Sequence, residues 1–251
     1  MLKYKQTMNT NFRSTNIDKI ESATIVSENK LLRAAFSWMA LAMVLTTIAS
    51  LLFAFVPELT SLLLQETERG FKPTILAYVV MFAPLAFILV INFGLNKMSY
   101  ITLIGVFVAY ALVNGISFSF IFYIYNIGSI FKVFLSTAGL FAVMAIAGYT
   151  TKTDLTKMGS ILIIGLIGIF IASLINMFMR SAGMDYIISI LGVIIFTGLT
   201  AWDVQKIKNL GQTADNSEGS KKLGVLGALT LYLDFINLFM FLLRLFGGRK
   251  E

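Results

Sequence analysis

Two acidic residues sit where a charge is energetically costly. Asp203 lies in the string Thr200-Ala201-Trp202-Asp203-Val204-Gln205, and Asp234 in Leu231-Tyr232-Leu233-Asp234-Phe235-Ile236-Asn237. Each falls within, or at the deep edge of, a long apolar run; the other Asp and Glu lie in the polar N-terminal stretch, in loops or at run ends. A charged Asp near the middle of a bilayer costs at least ~2.5–3.5 kcal/mol on insertion scales, so a carboxylate kept there points to function. The bland alternative is a carboxylate pinned by one hydrogen bond for packing. Gly227, Thr230, Asp234, Asn237 and Phe241 recur three or four residues apart and so share one helix face. Thr200 and Asp203 share a face of the preceding run. A polar stripe on an otherwise apolar helix turns inward, toward partner helices or a water-filled path. If these faces meet, the two carboxyls should share a proton, because like charges in a low dielectric do not both ionise cheaply. Ionised, Asp203 and Asp234 offer hard oxygen ligands that suit Ca²⁺, with Asn237, backbone carbonyls and water completing a loose shell. Protons and divalent cations would then compete for the same oxygens.

Other chemistries are excluded by residue type. The chain has no Cys and no His. Disulfides, thiolate catalysis, Ser-His-Asp chemistry and the usual zinc sites are therefore out of reach. Proton sensing falls to carboxylates or amines. No enzymatic activity and no cofactor are expected, apart from Ca²⁺ as a bound or transported ion.

The elements that must hold the two aspartates follow from composition. Hydrophobic residues make up 57% of the 251 and charged residues 13%, with a mean hydropathy of +0.83. A soluble domain carries about a quarter of its residues as charged groups. Apolar runs lie at about 34–56, 74–95, 101–123, 130–149, 160–179, 186–204 and 223–246. Each is long enough to cross a ~30 Å hydrocarbon core, and lipid offers a bare backbone no hydrogen bonds, so the runs must be helices. The expected fold is all-α and integral to the membrane, with seven spans over 34–248 behind a polar, flexible N-terminal tail over 1–33. That tail has no early apolar stretch typical of a signal peptide, so the first span is expected to act as an uncleaved anchor. Pro84, inside the second run, should kink it mildly. Pairs of small residues four apart, Ala138 and Ala142, Gly168 and Ala172, Gly224 and Ala228, suggest close helix contacts.

The formal net charge of +7 is read through topology. On the N-terminal side lie 13 Lys and Arg, including Lys97, Lys152, Lys157, Lys206, Lys208, Lys221 and Lys222; the opposite side has 7. Basic residues favour the cytoplasmic side, so the N-terminus is expected there. A re-entrant 223–246 would sharpen this asymmetry, but its length favours a full crossing. No basic cluster is interleaved with exposed aromatics, so no nucleic-acid partner is expected.

The string Gly227-Ala228-Leu229-Thr230-Leu231-Tyr232-Leu233-Asp234-Phe235-Ile236-Asn237-Leu238-Phe239, running on to Leu242-Leu243-Arg244, resembles the C-terminal signature of the Bax inhibitor-one family. Asp203 followed by Gln205, Lys206 and Ile207 resembles the end of that family's sixth span, and the likeness runs from about 30 to 248. The resemblance implies a seven-helix bundle wrapped around its C-terminal helix. It implies a paired-aspartate pH sensor at Asp203 and Asp234, and in bacterial members a pH-sensitive Ca²⁺ leak in the inner membrane. It also implies a basic latch near the end of the second span. Here the basic residue in that region is Lys97, a point charge without the bidentate fork of Arg.

Two other function classes compete. The resemblance also implies a second class, a non-transporting regulator of a membrane-bound quality-control protease, and the polar N-terminal tail would suit such a partner or a role in stress response. Paired aspartates on the last two spans also resemble intramembrane aspartyl proteases. Such an enzyme should carry Gly-x-Gly before its second Asp and Pro-Ala-Leu after it. Here Leu231-Tyr232-Leu233 precedes Asp234, and no Pro follows Pro84.

Overall fold

The computed structural model describes residues 30–67, 70–95, 97–215 and 217–250. The tail expected over 1–33 lies outside the described residues except for its last four, which open the first helix. Seven helices are long and apolar enough to span a membrane. They are α1 (Lys30–Phe55), α3 (Ile75–Gly94), α4 (Tyr100–Phe118) continued after a break by the short α5 (Ile121–Ile124), α6 (Ile127–Thr150), α7 (Thr156–Met179), α8 (Ala182–Gly211) and α9 (Glu218–Phe246). Pro84 lies inside α3 without ending it. The protein is an all-α multi-pass membrane protein.

Between α1 and α3 the chain forms a seven-residue helix, α2 (Pro57–Leu63), and a hairpin of β1 (Leu64–Thr67) and β2 (Gly70–Pro73). The strands pair from Leu64↔Pro73 to Thr67↔Gly70, and Gly70 has φ +104°, a conformation that favours glycine. Hydropathy gives no warning of this hairpin, because it is short and mostly polar. Thr74 then caps α3 by accepting a hydrogen bond from the Ala77 N–H at 3.2 Å.

The centre of the bundle is α9. Of its apolar stretch 72% is buried inside the protein, against 6% for α7. It packs along α8, α6 and α4. Gly224 and Gly227 let α1 approach, at Ala34 and Ala35. Aromatic side chains fill the remaining gaps: Phe235 meets Phe134 and Phe141 edge-on, both with ring centroids 5.5 Å apart. The periphery is as apolar as the centre. Ile161, Ile164 and Phe178 on α7 are all largely exposed, as suits a helix facing lipid.

The last helix crosses fully. At its start, Glu218 Oε1 accepts a hydrogen bond from the Tyr100 N–H, the first residue of α4. Past its end, the Asn126 N–H donates to the Gly248 carbonyl and the Lys250 N–H to the Ile124 carbonyl, just beyond the far end of α4. α9 is thus tied at both ends of the same neighbouring span. Its 29 residues reach about 43 Å, which rules out a re-entrant turn.

Of the three small-residue pairs expected at helix contacts, only Gly224 and Ala228 are both buried. Ala142 is exposed, and a Cβ on Gly168 would meet nothing within 4 Å. The tightest approaches occur instead at single glycines. Gly148 on α6 faces the Ala201 backbone of α8, and Gly159 on α7 lies under the Trp202 ring. A four-residue spacing marks a smooth helix surface but does not say whether that surface turns toward protein or lipid.

Candidate functional site

Asp203 is placed by the way α8 is held at its end. Gln205, two residues on and so about 200° round the helix, turns away from α9. Its Oε1 accepts from the Leu155 N–H and its Nε2 donates to the Thr153 carbonyl, both at 2.9 Å. One turn later Lys208 Nζ donates to the Tyr149 carbonyl at 3.0 Å. These bonds staple the α6–α7 connection to α8 and turn Asp203 toward α9.

Asp234 is placed by the opposite face of α9. Tyr232, again about 200° away, directs its hydroxyl toward α1 and α4. That oxygen lies 2.7 Å from Thr46 Oγ1 and accepts from Asn114 Nδ2 at 3.0 Å, while Thr46 Oγ1 also reaches the Ala111 carbonyl at 3.0 Å. The Tyr110 and Phe107 rings pack edge-on against the Tyr232 ring. A hydrogen-bonded cluster in a dry interior fixes the rotation of a helix more firmly than apolar contacts, which slide. Tyr232→Phe removes the acceptor of Asn114. It should lower stability by about 1–2 kcal/mol, read as an earlier thermal unfolding transition in detergent.

With both helices held, Asp203 and Asp234 meet. Their carboxyl groups lie side by side, within hydrogen-bonding reach of each other, at 5% and 4% exposure. Two carboxyls at this range can hydrogen-bond only if one of them carries a proton, since two carboxylates have no donor between them. Asp234 Oδ2 has no hydrogen-bond partner among the described residues. The charged groups acting on the pair are the aspartates themselves and Lys206, which acts on Asp203 and stacks its Nζ 5.0 Å over the Trp202 ring.

The family described as "Inhibitor of apoptosis-promoting Bax1" matches the chain over residues 28–251. The chain belongs to the Bax inhibitor-one family. It is 41% identical to the inner membrane protein YbhL of Escherichia coli over 206 residues, covering 81% of this chain and 88% of that protein. It is also 41% identical to an uncharacterized protein of Borreliella burgdorferi over 232 residues, 92% of this chain and 97% of the relative. A relative in Rickettsia prowazekii is 38% identical over 243 residues, 94% of this chain and the whole of the relative.

The polar residues expected to support the Bax inhibitor-one aspartates mostly serve their own helices. Thr200 Oγ1 donates to the Phe196 carbonyl at 2.7 Å, Thr230 Oγ1 to Leu226 at 3.1 Å and Asn237 Nδ2 to Leu233 at 2.8 Å. Each bond spans one helical turn and satisfies a donor within the helix itself. Lys97 is not brought to the pair. It is exposed in the α3–α4 turn and forms no ion pair among the described residues. Lys206 was missed as the basic neighbour because a lysine two residues beyond an apolar run reads as a loop residue. The Tyr232 cluster had one readable signal, Asn114 in the middle of the third run.

The loops at this end carry acidic groups of a different kind. Hydrogen bonds from Ser217 and Ser220 hold the exposed Asp215 carboxyl down at about 2. Hydrogen bonds from the Thr156 hydroxyl and N–H likewise lower Asp154. A depressed carboxyl contributes above its unfolded value and loses that contribution as pH falls through its folded one. Both therefore stay ionised throughout the neutral range, and neither can supply a response there.

Proposed function

We propose that this Bax inhibitor-one family member is a pH-sensitive Ca²⁺ leak pathway of the bacterial inner membrane, gated by the Asp203–Asp234 pair. The observation that carries the reading is a pair of buried carboxyls within hydrogen-bonding reach of each other on the two most buried spans, with no buried cation beside them among the described residues. While the pair holds a proton, a hydrogen bond between the two closes α8 onto α9. Once the proton leaves, two carboxylates repel at close range, and the contact either opens or takes up a cation. Ca²⁺ suits these hard oxygens, and Asp234 Oδ2 is free to coordinate it. Among the described residues no third acidic side chain joins the pair, so carbonyls and water complete the shell. Such a loose site suits passage better than storage. An Arg-like latch through Lys97 would require the α3–α4 turn to move toward the pair.

The test is Ca²⁺ flux into dye-loaded liposomes at two pH values, with empty liposomes as control. Flux that is absent, or equal at both values, would overturn the proposal. The sidedness is part of the same proposal, with the N-terminus and the 205–222 loop cytoplasmic. Because the native chain has no Cys, single Cys substitutions at Asp215 and Lys72 can be labelled cleanly in intact cells. Position 72 should react with an impermeant thiol reagent and position 215 should not; the reverse pattern would invert the topology.

A further inference from the structure

The end of the bundle opposite the N-terminus is poor in basic residues, with 7 of the chain's 20 Lys and Arg. Three of those seven nevertheless line a single cavity of about 420 Å³ between the end of α7, the start of α8 and the end of α9. They are Arg180, Arg244 and Arg249, and among the described residues the one acidic side chain lining it is Asp185. Asp185 Oδ1 lies 3.7 Å from Arg244 Nη1, a half-exposed ion pair of little strength. Arg180 and Arg249 have no acidic partner among the described residues. Among the described residues the cavity thus holds two guanidiniums in excess, and the N-terminal end of α8 adds its partial positive charge.

We infer that this cavity binds the phosphate of an anionic phospholipid headgroup. Guanidinium forks match phosphate oxygens two at a time, which a set of lysines would not do. The volume lies within the range of small-molecule pockets. The position selects a lipid rather than a soluble anion. Tyr186, a wall of the cavity, is 60% exposed, and beside it the strongly exposed Phe178, Met179 and Ile187 continue the apolar belt of α7 and α8. An amphipathic Tyr at the end of two lipid-facing helices marks the level of the headgroups. A lipid whose chains run down that belt would bring its phosphate to the arginines. This site is remote in function from the aspartate pair and stands whether or not the chain conducts Ca²⁺.

The experiment is native mass spectrometry of the full chain, delipidated in mild detergent and offered equal amounts of phosphatidylglycerol and phosphatidylcholine. Wild type should retain phosphatidylglycerol in about tenfold preference, and Arg180→Gln with Arg249→Gln should bring the ratio near one. Asp185→Asn frees Arg244 and removes the competing carboxylate, so it should raise retention about threefold. A gain of binding cannot come from misfolding. Inorganic phosphate in millimolar excess should leave phosphatidylglycerol bound; complete displacement would make this a free-anion site and overturn the lipid assignment. Equal retention of both lipids by wild type, or an undiminished preference in the double variant, would overturn the site itself.

Discussion

Asp203→Asn and Asp234→Asn should each abolish the pH dependence of Ca²⁺ flux while leaving the protein folded. Asn has the shape of Asp and still offers both a donor and an acceptor, so the α8–α9 contact retains a hydrogen bond without needing a proton. The gate then loses its trigger. In the proposed mechanism a shared proton holds wild type closed at low pH, and its loss at higher pH brings repulsion and cation entry. Either variant should stay close to the low-pH flux of wild type at both values, with at least about a tenfold loss of high-pH flux, the ordinary cost of removing one charged ligand from a buried site. Asp215→Asn serves as the control, since that carboxyl stays ionised down to about 2 and lies in a loop. If both buried variants keep the wild-type profile, the aspartates are packing residues and a regulatory role without transport becomes the better reading.

Gly148→Ala should be among the most damaging conservative changes in the chain. A Cβ there would be driven into the Ala201 carbonyl, and the obstacle is helix backbone rather than a side chain that could swing aside. Relief requires α8 to move off α6. The segment that moves carries Asp203 two residues later. Overpacking of this kind typically costs 1–3 kcal/mol, and a rigid obstacle places this case at about the upper end. The thermal transition in detergent should fall accordingly, and Gly148→Val should prevent a folded monomer from accumulating. Gly168→Ala is the matched comparison. Nothing lies within 4 Å of its Cβ position, so the transition should not fall. Equal effects at both positions would mean that α6 and α8 do not pack as described.

Both predictions rest on azimuth, which way a helix turns, and the sequence carried that information unevenly. It was strong where a charge was at stake. Asp203 and Asp234 had to face inward because lipid excludes carboxylates, and they could be singled out before any contact was known. It was weak for Thr200, Thr230 and Asn237. Such side chains are content facing a partner or bonding the carbonyl one turn back, and here they do the second. It was absent for the single glycines at 148 and 159, whose neighbours lie on other helices.

The number of spans and the depth of the two aspartates are legible in the chain alone. Both follow from free energies of transfer into lipid, which act on each segment separately and are additive along the chain. Tertiary structure alone decided which groups meet. It set Lys206 beside Asp203 and left Lys97 exposed, bound Tyr232 to Thr46 and Asn114, tied α9 to both ends of its neighbouring span, and gathered three arginines around one cavity. In lipid an apolar helix gains little by turning one apolar face rather than another toward its neighbours. Rotation and partner are therefore chosen by close backbone approach and buried hydrogen bonds between residues far apart in the chain.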